Sequence, residues 1–314
     1  GLEQSLNKKL LRREKTRVLR RGADGTPLPD DIAPGVFLEE NLRLHLTLDA
    51  RLQELSVNAL ATQVSEWRAK KGVAIVMDVT NGEILVLAST PTYDPNNYWK
   101  FSTSLFREWS VQDLFEPGST FKPINLALAL QERAIEPNGK VNDNGKIDIG
   151  GWSIYNHDLK ANGVIGFAKV LQVSSNVGMV KAMRQVNSSR YWDWLHRLGL
   201  DDIPDTDLPG AVAGQLKPKE QFVLKPIEVT TASYGQGFSL TPLKLTQLHA
   251  LLANGGYLVS PHITRGLGSG ETLIASAPSI KTKLLRKEVT QTVLNWMESV
   301  VERGSGKGVK TLGY

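Results

Sequence analysis

Two nearly continuous apolar runs, Gly72-Val73-Ala74-Ile75-Val76-Met77-Asp78-Val79 and Glu83-Ile84-Leu85-Val86-Leu87-Ala88, flank Asn81-Gly82. Asn-Gly tolerates the positive φ angles of a tight hairpin, so the runs predict an antiparallel strand pair. A strand with one face in water alternates apolar and polar residues. These two do not, which predicts a hairpin covered by helices on both faces and a chain of the α/β class.

Upstream, Leu44 to Leu48 reads as a short extended segment, and Asp49 is placed to cap a helix that carries Leu52, Leu55, Leu60 and Val64 on or near one face. Downstream, the apolar spacing turns helical at Phe121 to Ala134, Gly166 to Arg184, Ser189 to Leu198, Pro242 to Asn254 and Lys287 to Glu302. Strands are expected to be scarce after residue 90. No fixed-period repeat and no low-complexity tract is present.

With 314 residues, 41% hydrophobic and 22% charged, the chain can bury a large core in one or two domains. Its longest apolar runs fall far short of the ~20 residues that span a bilayer, and residue 1 begins no signal peptide. The absence of cysteine excludes disulfides, thiolate metal sites and a thiol nucleophile. The net charge of +5 is concentrated: eight Lys/Arg lie between Asn7 and Arg21 against the single acid Glu14, and the rest of the chain is slightly acidic. That pattern reads as a solvated or membrane-proximal arm, with no nucleic-acid partner. Residues 1–40, rich in turn signals, are taken as a linker at the end of a non-catalytic N-terminal domain, and residues 41–314 as a catalytic domain.

The first chemical signal is Phe115-Glu116-Pro117-Gly118-Ser119-Thr120-Phe121-Lys122-Pro123, a Pro-Gly turn that feeds a serine into an apolar helix. Ser119 and Lys122, three positions apart, share a helix face. A desolvated, neutral lysine can take the serine proton, and the amides of a helix N-terminus favour the oxyanion that follows. Alone, Ser-x-x-Lys is common by chance, and a serine cap with a solvated lysine is the better description of the pair. The second signal is Val173-Ser174-Ser175-Asn176-Val177-Gly178, in which Ser-x-Asn interrupts an apolar helical stretch. Helix interiors disfavour Ser and Asn, and burying either unpaired costs ~1 to 3 kcal/mol, so a polar role is expected to offset it. Local capping at a helix end is the alternative.

Ser-x-x-Lys followed about fifty residues later by Ser-x-Asn is the pairing found in penicillin-binding proteins and β-lactamases. With Tyr234-Gly235-Gln236-Gly237, Leu240-Thr241-Pro242-Leu243 and Ala253-Asn254-Gly255-Gly256-Tyr257, the text from about residue 36 onward resembles the class B penicillin-binding proteins, and among them the division-specific D,D-transpeptidases of the FtsI family. The resemblance implies the penicillin-binding-protein transpeptidase fold, serine β-lactamase-like and α/β, with an all-helical lobe inserted after the first hairpin. It implies Ser119 as nucleophile, Lys122 as its base, Ser174 as proton relay and Asn176 as a substrate-amide ligand, with no metal or cofactor. It further implies peptidoglycan stem peptides and lipid-linked nascent glycan as substrates, β-lactams bound covalently at Ser119, and division-complex membrane proteins, a glycosyltransferase among them, as partners. The location implied is the outer side of the bacterial cytoplasmic membrane at the septum, behind a single-pass anchor that these residues do not contain. A water-accepting D,D-carboxypeptidase or β-lactamase, and a β-lactam sensor that does not turn over, are the alternatives.

Two departures temper the resemblance, the first being that the family's N-terminal transmembrane anchor and nearly all of its non-catalytic domain are expected to be missing from these residues. The family's third motif, Lys-Thr/Ser-Gly on a central strand, is not found here; in Lys310-Thr311-Leu312-Gly313 a leucine stands where glycine is needed, and a loop composition precedes it. The sheet is therefore expected to be incomplete, reduced to one apolar hairpin, and the chain to be a fragment that lacks the family's C-terminal strands and helix. Other features are set aside. The five histidines show no ligand spacing, Gly304 to Gly308 lacks a phosphate loop's required positions, and Asn156-His157-Asp158 and Tyr234 to Gly237 are read as turns, the latter near the active-site wall.

Overall fold

The computed structural model describes residues 43–269, 272–276 and 281–311. The arm expected over residues 1–40 and the ending at Leu312 to Tyr314 lie outside the described residues. In chain order the elements are β1 (Arg43–Leu46), α1 (Ala50–Glu66), β2 (Gly72–Met77), β3 (Ile84–Thr90), α2 (Trp109–Gln112) and α3 (Lys122–Gln131). There follow β4 (Lys140–Asp143), β5 (Lys146–Ile149), β6 (Trp152–Tyr155), β7 (Gly163–Gly166), α4 (Phe167–Gln172), α5 (Asn176–Met183), α6 (Ser188–Arg197), α7 (Lys219–Leu224) and α8 (Pro226–Ala232). The rest comprises α9 (Pro242–Ala253), β8 (Tyr257–Val259), β9 (Thr264–Ser269), β10 (Thr272–Ser276), β11 (Lys281–Lys283) and α10 (Lys287–Arg303).

The hairpin forms as its sequence requires: β2 pairs antiparallel with β3 in register Ala74↔Ala88 and Val76↔Val86, and Gly82 takes φ +87° in the turn. Helices flank it on both sides. Gly72 lies against Leu60 and Val64 of α1, while Ile75 and Leu87, on the opposite face of the pleat, pack with Val111 of α2 and Leu243 of α9. Asp49 caps α1 by accepting from Leu52 N–H at 2.9 Å.

The hairpin is not the only sheet, and strands are not scarce after residue 90. β1, β9 and β10 form a three-stranded sheet in the order β1-β9-β10, and β8 pairs with β11. A Glu83↔His262 bridge and the bond from Thr47 N–H to Ile263 C=O tie the strand ends around β1, β3 and β9 together. Nor is the inserted lobe all-helical: β4 pairs with β7 and β5 with β6. These strands run three to six residues, several with glycine, asparagine or aspartate, so neither length nor periodicity distinguishes them from turns. Tertiary pairing decides them.

The core is built around α3. Every residue from Lys122 to Leu130 is buried, the mark of a helix surrounded by protein rather than lying on a surface. Phe121, Ile124, Leu126 and Leu128 join Val170, Met179, Leu195, Leu251 and Val293 from α4, α5, α6, α9 and α10 in one cluster. Lys310 and Thr311, expected to be loop, are exposed and belong to no strand. Among the described residues no helix is long and apolar enough to cross a membrane.

Candidate active site

Pro117 and Gly118 turn the chain into a single 3-10 turn, Gly118–Phe121, that runs directly into α3. Ser119 is therefore exposed at the mouth of the most buried helix, and Lys122 is that helix's first residue. Pro123 sits in the first turn, where its missing N–H costs no helical bond. Three contacts fasten the turn to the segment 235–240. Phe115 and Leu240 exchange backbone bonds at 3.1 Å, Gly237 N–H donates to Glu116 Oε1 at 2.8 Å, and Gly118 N–H donates to Gly235 C=O at 2.8 Å. The turn read at Tyr234 to Gly237 is thus part of the wall that holds the serine. His249 on α9 makes a further contact: its Nε2 lies 2.9 Å from Thr120 C=O, an oxygen that can only accept, so Nε2 carries the proton.

Ser174 and Asn176 arrive from a joint between two helices, not from within one. Ser174 N–H donates to Leu171 C=O and Ser175 N–H to Val170 C=O, the pair of bonds that closes a helix with a left-handed residue just past its end. That residue is Ser174, at φ +53°, where glycine is the usual occupant. Ser175 then caps α5 by accepting from Gly178 N–H at 2.8 Å, so one residue ends one helix and begins the next. The expected single helix over Gly166 to Arg184 is accordingly two, and the local-capping alternative describes Ser175 correctly.

The joint delivers its side chains to Lys122. Lys122 Nζ donates to Ser174 C=O at 2.6 Å, Ser174 Oγ at 3.1 Å and Asn176 Oδ1 at 2.8 Å, and Ser174 Oγ donates to Ser119 Oγ at 3.0 Å. Among the described residues the hydrogen-bonded path from lysine to exposed serine passes through Ser174, so sharing a helix turn does not by itself pair Ser119 with Lys122. Burial pushes the Lys122 ammonium down to about 7, while its three acceptors favour the charged form. Asn176 Nδ2 donates to Tyr155 C=O at 3.0 Å, which fixes the amide with its oxygen toward the lysine and leaves one Nδ2 hydrogen available.

Behind the joint lies a buried polar group that residue type and spacing do not mark. Asp143 at the end of β4 is fully buried and accepts from Ser175 Oγ (2.7 Å), Asn162 Nδ2 (2.7 Å), Gly145 N–H (2.9 Å) and Asn156 Nδ2 (2.8 Å). Burial pushes this carboxyl up, but the donors, led by Asn162, outweigh it and hold it below its ordinary value. Asn156, taken from sequence as part of a turn, is buried, and its Oδ1 accepts from Val177 N–H at 3.1 Å. Its one legible signal is its place in a polar cluster; the partners come from segments distant in sequence.

The arrangement offers an exposed hydroxyl, a second hydroxyl that can pass a proton, and a lysine poised between charged and neutral forms. The Ser119 N–H lies in a first turn, where amides have no intrahelical acceptor. No donor set within this cleft resembles a metal site; His196, Asp201 and Asp202 form the one such group among the described residues, and it belongs to a different part of the chain.

Residues 72–314 match the family model described as the penicillin binding protein transpeptidase domain. The chain is 37% identical over 309 residues to a peptidoglycan D,D-transpeptidase FtsI homolog of Chlorokybus atmophyticus, covering 94% of this chain and 46% of that protein. It is 31% identical over 313 residues to peptidoglycan D,D-transpeptidase FtsI of Escherichia coli strain K12, covering 99% and 50%. The chain thus spans about half the length of these curated relatives. Among solved structures, apo penicillin binding protein 3 of Mycobacterium tuberculosis superposes with a TM-score of 0.80 at 25% identity, over 95% of this chain and 71% of that one.

Proposed function

The chain belongs to the penicillin-binding protein transpeptidase family, and on that footing we propose that it carries the acyl-transfer site of a serine peptidoglycan D,D-transpeptidase of the cell-division type. The observation that carries this reading is the hydrogen-bonded path from buried Lys122 through Ser174 to exposed Ser119. Residues 41–314 are its transpeptidase domain, and residues 1–40 the linker that precedes it.

In the proposed reaction Ser119 Oγ attacks the carbonyl carbon of the penultimate D-Ala of a stem peptide. Its proton passes to Ser174 Oγ, whose own proton moves to neutral Lys122. The oxyanion forms within reach of the Ser119 N–H. Collapse breaks the C–N bond, a proton returns through Ser174 to the departing D-Ala amine, and an ester remains on Ser119. The amine of a neighbouring stem peptide then attacks the ester, gives up a proton along the same path and releases Ser119 as the C–O bond breaks. Asn176 has two duties, orienting Lys122 through Oδ1 and offering its remaining Nδ2 hydrogen to the substrate amide.

β-Lactams, whose ring amide presents the same acyl chemistry, acylate the same serine. The substrates are stem peptides on nascent glycan, the partners are membrane proteins of the division complex including a glycosyltransferase, and the domain works on the extracytoplasmic side of a membrane to which the whole protein is anchored. The test is covalent labelling of the whole protein by a fluorescent penicillin, mapped by peptide mass, followed by product analysis with a D-Ala-D-Ala donor and an amine acceptor. Label on Ser119 that disappears in Ser119→Ala, with a crosslinked product, is expected. Label that persists in Ser119→Ala overturns the assignment, and release of free acid with no crosslink overturns the transfer step.

A further inference from the structure

We propose that Asp143 is a positioning residue for this acyl transfer, acting through the Ser175 hydroxyl to hold the helix joint that presents Ser174 and Asn176 to Lys122. The inference rests on the transpeptidase reading and assigns a role to a carboxylate that the reaction itself does not use.

Ser175 is the only residue between the relay serine and the amide ligand, so whatever fixes Ser175 fixes both neighbours. Its hydroxyl has one proton. Oγ accepts from Gly178 N–H, and two acceptors face its proton, Asp143 Oδ2 at 2.7 Å and Asn156 Oδ1 at 3.2 Å; the shorter, charge-assisted bond to the carboxylate, which can only accept, takes it. The rotor is therefore locked from both sides. Asn156 extends the lock: it donates to Asp143 and to Lys160 C=O, and accepts from Val177 N–H. Asp143 and Asn156 between them thus govern the acceptors of the first free amides of α5, and Lys181 of that helix also donates to Asn142 C=O on β4.

Burying this carboxylate has a physical cost that an apolar cluster of the same volume would avoid. It also sits beside a second cost, since a left-handed serine is disfavoured and persists only where its surroundings over-determine it. The two belong together: the strain holds Ser174 Oγ between Lys122 and Ser119, and the carboxylate network secures the residue that follows. All four donors to Asp143 come from Ser175 or from residues 145–162, so the β4–β7 and β5–β6 ladders act as a brace for the joint. Displacing reacting groups by about 1 Å is enough to cost on the order of a hundredfold in rate.

The test is penicillin acylation of the whole protein, resolved into the noncovalent dissociation constant and the first-order acylation rate, for wild type, Asp143→Asn, Ser175→Ala and the double variant. Both single variants are expected to lose roughly ten- to a hundredfold in the acylation rate with the dissociation constant nearly unchanged. The double variant is expected to be about as slow as the slower single one, because the carboxylate acts through the hydroxyl. Folded single variants that acylate at the wild-type rate, or losses that multiply in the double variant, overturn the proposal. Should Asp143→Asn fail to fold, Ser175→Ala decides alone: a wild-type acylation rate, or a loss confined to the dissociation constant, overturns it. A wild-type protein that takes up no label at Ser119 brings down the functional reading and this one together, whereas a labelled wild type with unaffected variants brings down only this one.

Discussion

The hydroxyl of Ser174 lies 3.0 Å from that of Ser119 and donates to it, while Lys122 Nζ donates to Ser174 from 3.1 Å. That polarity belongs to a protonated lysine; a neutral one reverses both bonds and lets the Ser119 proton move inward. Only the neutral form serves as base, and burial pushes Lys122 down to about 7. The acylation rate is therefore expected to rise with pH through an inflection near that value and to fall about tenfold per pH unit below it. A rate profile flat from about pH 5.5 to 8.5 would rule out Lys122 as the base.

The same group links stability to pH. Between about 7 and its ordinary value of 10.5, Lys122 is mostly neutral when folded and mostly charged when unfolded, so the unfolded chain binds more protons. Its contribution to stability rises with pH across that window. In Lys122→Met the slope of unfolding free energy against pH over this range should shrink by up to one proton's worth, as measured by denaturant titration.

Ser174 holds a backbone conformation that glycine adopts freely. Ser174→Gly should fold at least as stably as wild type, by up to ~1 kcal/mol more, while acylation drops roughly 10² to 10⁴-fold for want of the relay hydroxyl. Thermal denaturation and labelling kinetics on one sample read both effects. An equal fall in both would mean that the serine serves the fold alone.

Gly235 accepts from Gly118 N–H, has φ +82°, and would place any Cβ inside the van der Waals radius of Gly118 C=O. Gly235→Ala is expected to destabilise the protein by ~2 kcal/mol or more and to slow acylation as the Ser119 turn shifts. Gly118 meets no such crowding; only its φ of +56° argues for glycine, so Gly118→Ala should cost less. The ranking of the two melting temperatures checks the point.

Tyr191 OH donates to Asn125 Oδ1 at 2.8 Å, and Asn125 Nδ2 donates to Ala232 and Ser233 C=O at 2.9 Å each, all in the buried core. This path ties α3, one turn past Lys122, to the end of α8 and so to Tyr234-Gly235. Tyr191→Phe strands a buried acceptor and should cost ~1 to 3 kcal/mol in unfolding free energy, with labelling of the folded protein reduced less than in Gly235→Ala.

The parts of the fold legible in sequence are those where neighbours in the chain decide the matter. Asn81-Gly82 between two apolar runs, Asp49 ahead of α1, and the periodicity of α6, α9 and α10 each rest on local backbone preference and one buried face. The short strands β4 to β11 carry no such local signal, because their pairing partners supply the stability. The same division runs through the site. Residue type and spacing mark Ser119, Lys122, Ser174 and Asn176, whereas nothing near Asp143 and Asn156 in the chain marks them as partners of Ser175.

Sequence alone determined which hydroxyls, amine and amide are available to the proposed chemistry, because those functional groups are covalent facts of the chain. Tertiary structure decided how they meet. A helix buried on all sides depresses the lysine, a left-handed joint between two helices puts Ser174 between it and Ser119, and a buried carboxylate some thirty residues upstream holds that joint. Burial and long-range hydrogen bonds depend on which segments fold against one another, and residue spacing does not record that.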